Sequence, residues 1–272
     1  MLEDAQYLCP ICQNKLIPQN TSYICAQNHH FDQAKEGYVN LLPVQLKRSK
    51  APGDNKTMVN ARRNFLEKGY YQALINKLLS LKDTFIPDNK AILDAGCGEG
   101  YYTHQLKSST NAVYGVDIAK EAVKKAAKKY QQCHFSVATL SHLPFSDSFF
   151  GGIISIYAPI LEPEFTRILA ANGILITVTP AQKHLFELKE KIYQTALDHD
   201  IEKLAIKDLS LIHQEQLTYA MTLTTGDDVL NLLAMTPYAF KASEEVKQEL
   251  KKLHSFLCHA DFLIRVYQKS AR

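Results

Sequence analysis

From residue 61 onward, short apolar runs and longer stretches of helical periodicity take turns along the chain. Ala61, Phe65 and Leu66 share one face of a predicted helix that Gly69 ends. A second helix begins at Tyr70 and Tyr71, carries Leu74, Leu78 and Leu81 on one side, and gives way at Pro87-Asp88. Ala91-Ile92-Leu93 has the length and character of a buried strand, and a loop through Asp94, Gly96, Gly98 and Gly100 carries it into a helix from Tyr101. Alternating apolar positions make 113–117 a strand ending on Asp117. Residues 119–129 form a helix with Lys120, Lys124, Lys125, Lys128 and Lys129 on its outer faces. Strands follow at 133–137, 153–156 and 173–179, and 180–197 is expected to be mainly helix. At the end, strands at 214–223 and 260–267 flank helices at 226–233 and 244–254. Strand and helix in alternation predict an α/β fold built on a doubly wound sheet. The first 45 residues have no such rhythm, and nothing in the chain repeats.

Composition changes this picture little. The chain has 272 residues, 46% hydrophobic and 22% charged, which is ordinary for a globular protein, and its net charge of +3 requires any nucleic-acid surface to be local. No apolar run reaches the roughly 18 residues of a membrane helix. The start, Met1-Leu2-Glu3-Asp4, does not read as a secretory signal, so the expected address is the cytoplasm, with no membrane partner. Six cysteines in such a chain favour a metal or free thiols over disulfides.

The candidate chemistry lies in two places. In Asp94-Ala95-Gly96-Cys97-Gly98-Glu99-Gly100 the alternate glycines let the backbone approach a ligand closely. The spacing is not the dinucleotide G-x-G-x-x-G, and an acid precedes the glycines. S-adenosylmethionine (SAM) has no pyrophosphate but a sulfonium, an ammonium and a ribose. An acid beside the loop suits the ammonium, and Asp117, ending the next strand, suits the ribose hydroxyls. Near the N-terminus, Cys9-Pro10-Ile11-Cys12 and Cys25 offer three thiolates, with His29 or His30 as a fourth ligand and His29 preferred for its spacing. A tetrahedral structural zinc would staple a module too short to fold by itself, with Tyr7, Tyr23, Ile24 and Phe31 packed around it. Residues 35–43 should close that module as an extended segment. A basic run then follows, Lys47, Arg48, Lys50, Arg62 and Arg63, able to neutralise phosphates.

The loop and its two acids, with Leu143-Pro144-Phe145-Ser146-Asp147 and the strand running to Tyr157, resemble the class I (Rossmann-like) methyltransferases. Many relatives begin the fourth strand with Asp, where this chain has Gly151. A closer likeness follows from Cys9-Pro10-x-Cys12, Lys35-Glu36-Gly37-Tyr38-Val39-Asn40, Ala61-Arg62-Arg63, Tyr157-Ala158-Pro159, His184-Leu185 and Met235-Thr236-Pro237. The chain resembles the RlmA family, 23S ribosomal RNA guanine-N1 methyltransferases, over nearly its whole length. The likeness implies a zinc ribbon that recognises RNA at 1–45, a basic linker and helix at 46–70, and a SAM-dependent methyltransferase domain at 71–272. It implies Cys9, Cys12, Cys25 and His29 as zinc ligands, and Tyr71, Glu99, Gly100, Asp117 and His184 at the cofactor, beside Asp94, Gly96 and Gly98. It also implies a 23S rRNA hairpin or an assembling large subunit as partner, a homodimer, and a C-terminal antiparallel hairpin. Of its two branches, named for guanines 745 and 748, the first is the nearer match.

Other chemistries find less support. The chain lacks the Asp/Asn-Pro-Pro-aromatic string of exocyclic-amine methylation, and no cysteine follows a proline as carbon-5 methylation would want. Asp94, Glu99, Tyr157 and His184 are candidates for a general base, none singled out, and Tyr157 or Tyr238 could stack on a flipped base. A small-molecule methyltransferase leaves the ribbon unused. A catalytically dead RNA-binding protein leaves the intact acids unexplained, and a pyridine-nucleotide oxidoreductase conflicts with the glycine spacing.

Overall fold

The computed structural model describes residues 6–47, 53–193, 195–199 and 205–271. The chain opens with β1 (Ile17–Gln19), β2 (Ser22–Ile24) and β3 (His30–Asp32), an antiparallel three-stranded sheet. The two-residue β4 (Val39–Asn40) follows. Next come α1 (Lys56–Glu67), capped by the Asn55 side chain accepting from the Met58 N–H, and α2 (Gln72–Phe85). The alternating part comprises β5 (Ile92–Ala95), α3 (Tyr101–Gln105), β6 (Val113–Asp117), α4 (Lys120–Lys129), β7 (His134–Val137), β8 (Phe150–Ile156), α5 (Glu162–Ile168), β9 (Leu169–Pro180) and α6 (Phe186–Ile192). The chain ends with β10 (Leu209–Leu223), α7 (Gly226–Ala234), α8 (Glu244–Lys251) and β11 (Phe256–Lys269).

Eight strands form the main sheet in the order β10-β11-β9-β8-β5-β6-β7-β4. β11 is antiparallel to both β9 and β10, giving the expected C-terminal hairpin, while β9, β8, β5, β6, β7 and β4 run parallel. Successive residues of the inner strands enter opposite cores: Ile92 faces one cluster and Leu93 the other, as do Val113 and Tyr114, and Ile154 and Ile153. The chain leaves β5 toward β6 and β7 on one side and returns to β8 and β9 on the other. The crevice beyond the carboxyl ends of β5 and β8 is therefore the topological switch point, where open α/β sheets take their ligands.

Two differences from the sequence reading, and one departure from relatives noted in it, have local causes. First, β4 does not merely close the N-terminal module. It joins the main sheet, Val39 opposite Ser136 and Asn40 opposite Val137. The connection from β7 to β8 contains no helix, and the N-terminal module occupies that face. Tyr7, fully buried, packs edge-on to Tyr114 and against Phe145, and the Leu8 N–H donates to Pro144 O at 2.8 Å. Second, among the described residues of 180–197 only α6 is α-helical. β9 runs on to Pro180, Leu185 sits in the left-handed region at φ +53°, and Tyr193 is already extended. Third, Gly151 stands where an Asp was noted in relatives because a Cβ there would lie 2.3 Å from Lys90 Cβ.

Candidate functional site

Cys9, Cys12, Cys25 and His29 converge, their ligand atoms all within 4.8 Å of one another. A tetrahedron built on zinc–sulfur bonds of roughly 2.3 Å has sulfur–sulfur edges of about 3.8 Å. Cys12 Sγ and Cys25 Sγ are 3.6 Å apart, and His29 Nδ1 lies 3.3 Å from Cys25 Sγ and 3.5 Å from Cys9 Sγ. The donor set thus fits zinc. Of the neighbouring histidines it is His29 that lies among the thiols, while the exposed His30 turns its Nε2 to Asn28 Oδ1 at 3.0 Å. Two donors steady the thiolates from outside: the His29 N–H reaches Cys25 Sγ and the Asn14 Nδ2 reaches Cys12 Sγ, each at 3.3 Å.

The glycine loop leaves β5 at the switch point with Gly96, Gly98 and Gly100 all at positive φ. A Cβ on Gly96 would come within 2.5 Å of Ala158 Cβ, so the turn after β8 rests directly on the loop. Asp117 holds the loop in place, its Oδ2 accepting from the Gly98 N–H and its Oδ1 from the Ala119 N–H, both at 2.8 Å. Asp94 is buried and accepts from the Thr103 hydroxyl at 2.6 Å. Glu99 is also buried, and its Oε1 has no partner.

Burial raises the pKa of all three carboxyls, and Asp94 is pushed up to about 7 even though Thr103 pulls it the other way. Three desolvated acids around a glycine cradle suit a cationic ligand with hydroxyls to donate, which is the chemistry of SAM. The titration of Asp94 has a definite sign. A carboxyl raised from 3.8 to about 7 keeps a proton that the unfolded chain releases. Its contribution to stability is therefore full below pH 3.8 and is lost as pH rises toward 7. A cationic ligand favours the carboxylate instead. Cofactor affinity should rise through pH 7, and titration calorimetry at that pH, in buffers of different ionisation enthalpy, should detect proton release on binding. Asp94→Asn should lose the release.

Tyr71 and His184, far apart in sequence, meet with ring centroids 6.5 Å apart, in a cluster completed by Tyr157 and Phe262. The His184 pKa falls to about 3 through burial, with His199 adding to the effect. Sequence reasoning missed Asp261, which braces this cluster. Its carboxylate accepts from Gln216 and Thr218, both at 2.6 Å, and from the Lys183 N–H at 3.0 Å, fixing the turn that carries His184. No motif marks it.

The basic residues divide. Arg48 and Lys50 lie outside the described residues, and Lys47 is exposed. Arg62 is drawn inward, ion-paired with Asp54, and a Cβ on Gly98 would stand 3.7 Å from its Nη1. Arg63 pairs with Glu67 at 2.9 Å, and Lys129 joins the same carboxylate. Thus α1 lies along the glycine loop and α4, with Val59 packed on Ala119 and Ala122.

Comparison with known proteins agrees with this geometry. Residues 7–50 match the family described as "RlmA, N-terminal", and residues 86–253 match "Methyltransferase domain". The chain is 31% identical to the 23S rRNA (guanine(748)-N(1))-methyltransferase of Streptomyces fradiae over 241 residues, covering 84% of each chain. It is 28% identical over 267 residues to YxjB of Bacillus subtilis strain 168, covering 92% of this chain and 93% of that one; YxjB is provisionally named a 23S rRNA (guanine-N(1)-)-methyltransferase. A Micromonospora griseorubida protein with the same provisional name is 29% identical over 259 residues, covering 85% of this chain and 86% of that one. Among the described residues no helix is long and apolar enough to cross a membrane.

Proposed function

Because the chain belongs to the RlmA family of 23S rRNA (guanine-N1)-methyltransferases, we propose that it transfers the methyl group of SAM to N1 of a guanine in a 23S rRNA hairpin, guanine 745 by the sequence likeness, with guanine 748, the position in the name of the Streptomyces fradiae relative, as the alternative. The observation that carries this reading is the fusion of the Cys3His module to the sheet that bears the ligand crevice. A small-molecule methyltransferase has no use for such a module, whereas an RNA enzyme can grip a stem with it while the crevice takes the base.

When bound, SAM supplies a methyl carbon that a nitrogen lone pair displaces in line from sulfur. Over the whole reaction the N1 proton goes to water and the sulfonium becomes a neutral thioether. The protein's part is alignment and charge. Asp117 accepts from the ribose hydroxyls while keeping the loop closed. Asp94 and Glu99 would place negative charge by the cationic end, and Tyr71 and His184 would close over the cofactor. Gly96, Gly98 and Gly100 admit the ligand against the backbone. Cys9, Cys12, Cys25 and His29 hold zinc, which orders the ribbon and takes no part in the transfer.

Lys47, Arg48, Lys50, Arg62 and Arg63 are the RNA-binding cations of this reading, Arg62 being the one beside Gly98. A cytoplasmic site of action and a homodimer belong to the same reading. Position is tested by hairpin transcripts in which guanine 745 or guanine 748 is replaced by adenine. The 745 replacement should abolish methyl incorporation and the 748 replacement should not. The reverse pattern assigns the enzyme to the other position, and incorporation surviving both replacements removes the proposed site.

A further inference from the structure

The substrate side of the crevice carries a hydroxyl held in one defined state. Tyr157 follows β8 at the switch point with φ +56°, a left-handed conformation that strains a bulky residue. The surroundings enforce it: the next residue, Ala158, is wedged against Gly96, and the Tyr157 N–H donates to Val178 O at 3.0 Å. The residue is 46% exposed, yet its hydroxyl reaches in to His184 Nε2 at 3.0 Å.

The direction of that hydrogen bond follows from the other side of the ring. His184 Nδ1 is 3.1 Å from the backbone nitrogen of Asp261, which can only donate. Nδ1 is therefore the acceptor, and in the neutral ring Nε2 carries the hydrogen. His184 thus donates to Tyr157 Oη. Burial keeps His184 uncharged but tightly engaged, and a tyrosine hydroxyl holds its proton near neutral pH, so neither serves as a base there. One lone pair of Oη is taken, and the O–H hydrogen of Tyr157 remains to be given.

We propose that Tyr157 donates this hydrogen to O6 of the target guanine, making it the hydroxyl that both selects an acceptor at purine position 6 and stabilises the charge gathering there. This rests on the guanine-N1 reading above. As the N1 proton leaves for water, negative charge spreads through C6 onto O6, and a preorganised donor aimed at that atom lowers the barrier. No proton passes from Tyr157 to the base. Adenine presents an amino group at the same place, which the engaged Oη is poorly set to accept. Asp261 and His184 act as positioning residues through Oη.

The test is a chemical double-mutant cycle. Single-turnover methylation is measured for wild type and Tyr157→Phe, on hairpin RNA with guanosine or 6-thioguanosine at the target, sulfur being the poorer acceptor. Tyr157→Phe should slow transfer to guanosine about a hundredfold, while the Kd values for SAM and RNA stay within about twofold. The guanosine-to-thioguanosine rate ratio should fall about tenfold in the variant, because the hydrogen that distinguishes the two atoms is gone. Equal ratios in the two enzymes overturn the proposal. So does a variant that loses cofactor affinity, which would place the hydroxyl on the cofactor. Wild type inactive on both RNAs would remove the guanine reading itself, and the proposal with it.

Discussion

Asp117→Ala will weaken SAM binding about a hundredfold, a cost of roughly 2.7 kcal/mol. The side chain accepts two backbone hydrogen bonds, from Gly98 and Ala119, that tie the glycine loop to the end of β6. Hydrogen bonds to a charged group contribute about 1.5–3 kcal/mol each, and the alanine variant leaves both N–H groups without that acceptor. It also removes the partner of the ribose hydroxyls. Part of the loss should therefore appear as a looser loop, seen as faster amide exchange at Gly98, and part as lost contact. Asp117→Asn should fall between, since its amide oxygen can satisfy one donor only. Calorimetry measures the affinities, and an alanine variant that binds as tightly as wild type removes the ribose assignment.

The second large effect is at the metal. Replacing Cys9 and Cys12 with serine should expel zinc and abolish RNA methylation. It should also lower the melting temperature of the whole chain, because the ribbon is part of the core. Tyr7 packs on Tyr114 and Phe145, and Cys9, Cys25, Leu93 and Val116 belong to one buried cluster. Below the melting transition the crevice should still bind SAM, since the groups that hold Asp117 and the glycine loop together, the Gly98 and Ala119 N–H, include no zinc ligand. Metal analysis, a thermal melt and calorimetry on one sample separate these effects. A wild type without zinc contradicts the assignment of Cys9, Cys12, Cys25 and His29. A double variant that melts unchanged contradicts the packing role.

How much of this was legible in the sequence depends on how local each cause is. The glycine loop, the strands beside it and the two C-terminal strands follow from patterns within a few residues, whereas the antiparallel pairing of the last two was supplied by the resemblance. The Cys3His cluster was legible because ligand spacing is itself the signal, and only the choice of histidine needed the fold. That 35–43 is extended was legible, but that β4 joins the main sheet was not, because a two-residue strand has no period and its partner lies near residue 136. Nor could any window show that the missing helix between β7 and β8 would be replaced by the ribbon. The helical pattern over 180–197 misled because the 181–185 turn is set from a distance: Ala181 N–H and Lys183 N–H donate to Asp261 O and Oδ2. The meeting of Tyr71, Tyr157 and His184 spans more than a hundred residues. Resemblance supplied two of its members, but spacing could not. Arg62 and Arg63 read as part of a phosphate-binding run by composition. Arg63 and Glu67 are an i,i+4 pair that helical spacing could have flagged, whereas the pairing of Arg62 with Asp54 needed the fold.

The claim beneath all of this is methyl transfer to a guanine N1 in 23S rRNA, and primer extension tests it most directly. A methyl at N1 blocks Watson–Crick pairing and halts reverse transcriptase one nucleotide before the modified base. Unmodified 23S rRNA incubated with the enzyme and SAM should give one new strong stop in the target hairpin, absent without SAM. Nuclease digestion of the same RNA should yield N1-methylguanosine. An RNA that gains label without that stop, or gains neither, while the protein binds SAM, would contradict the assignment.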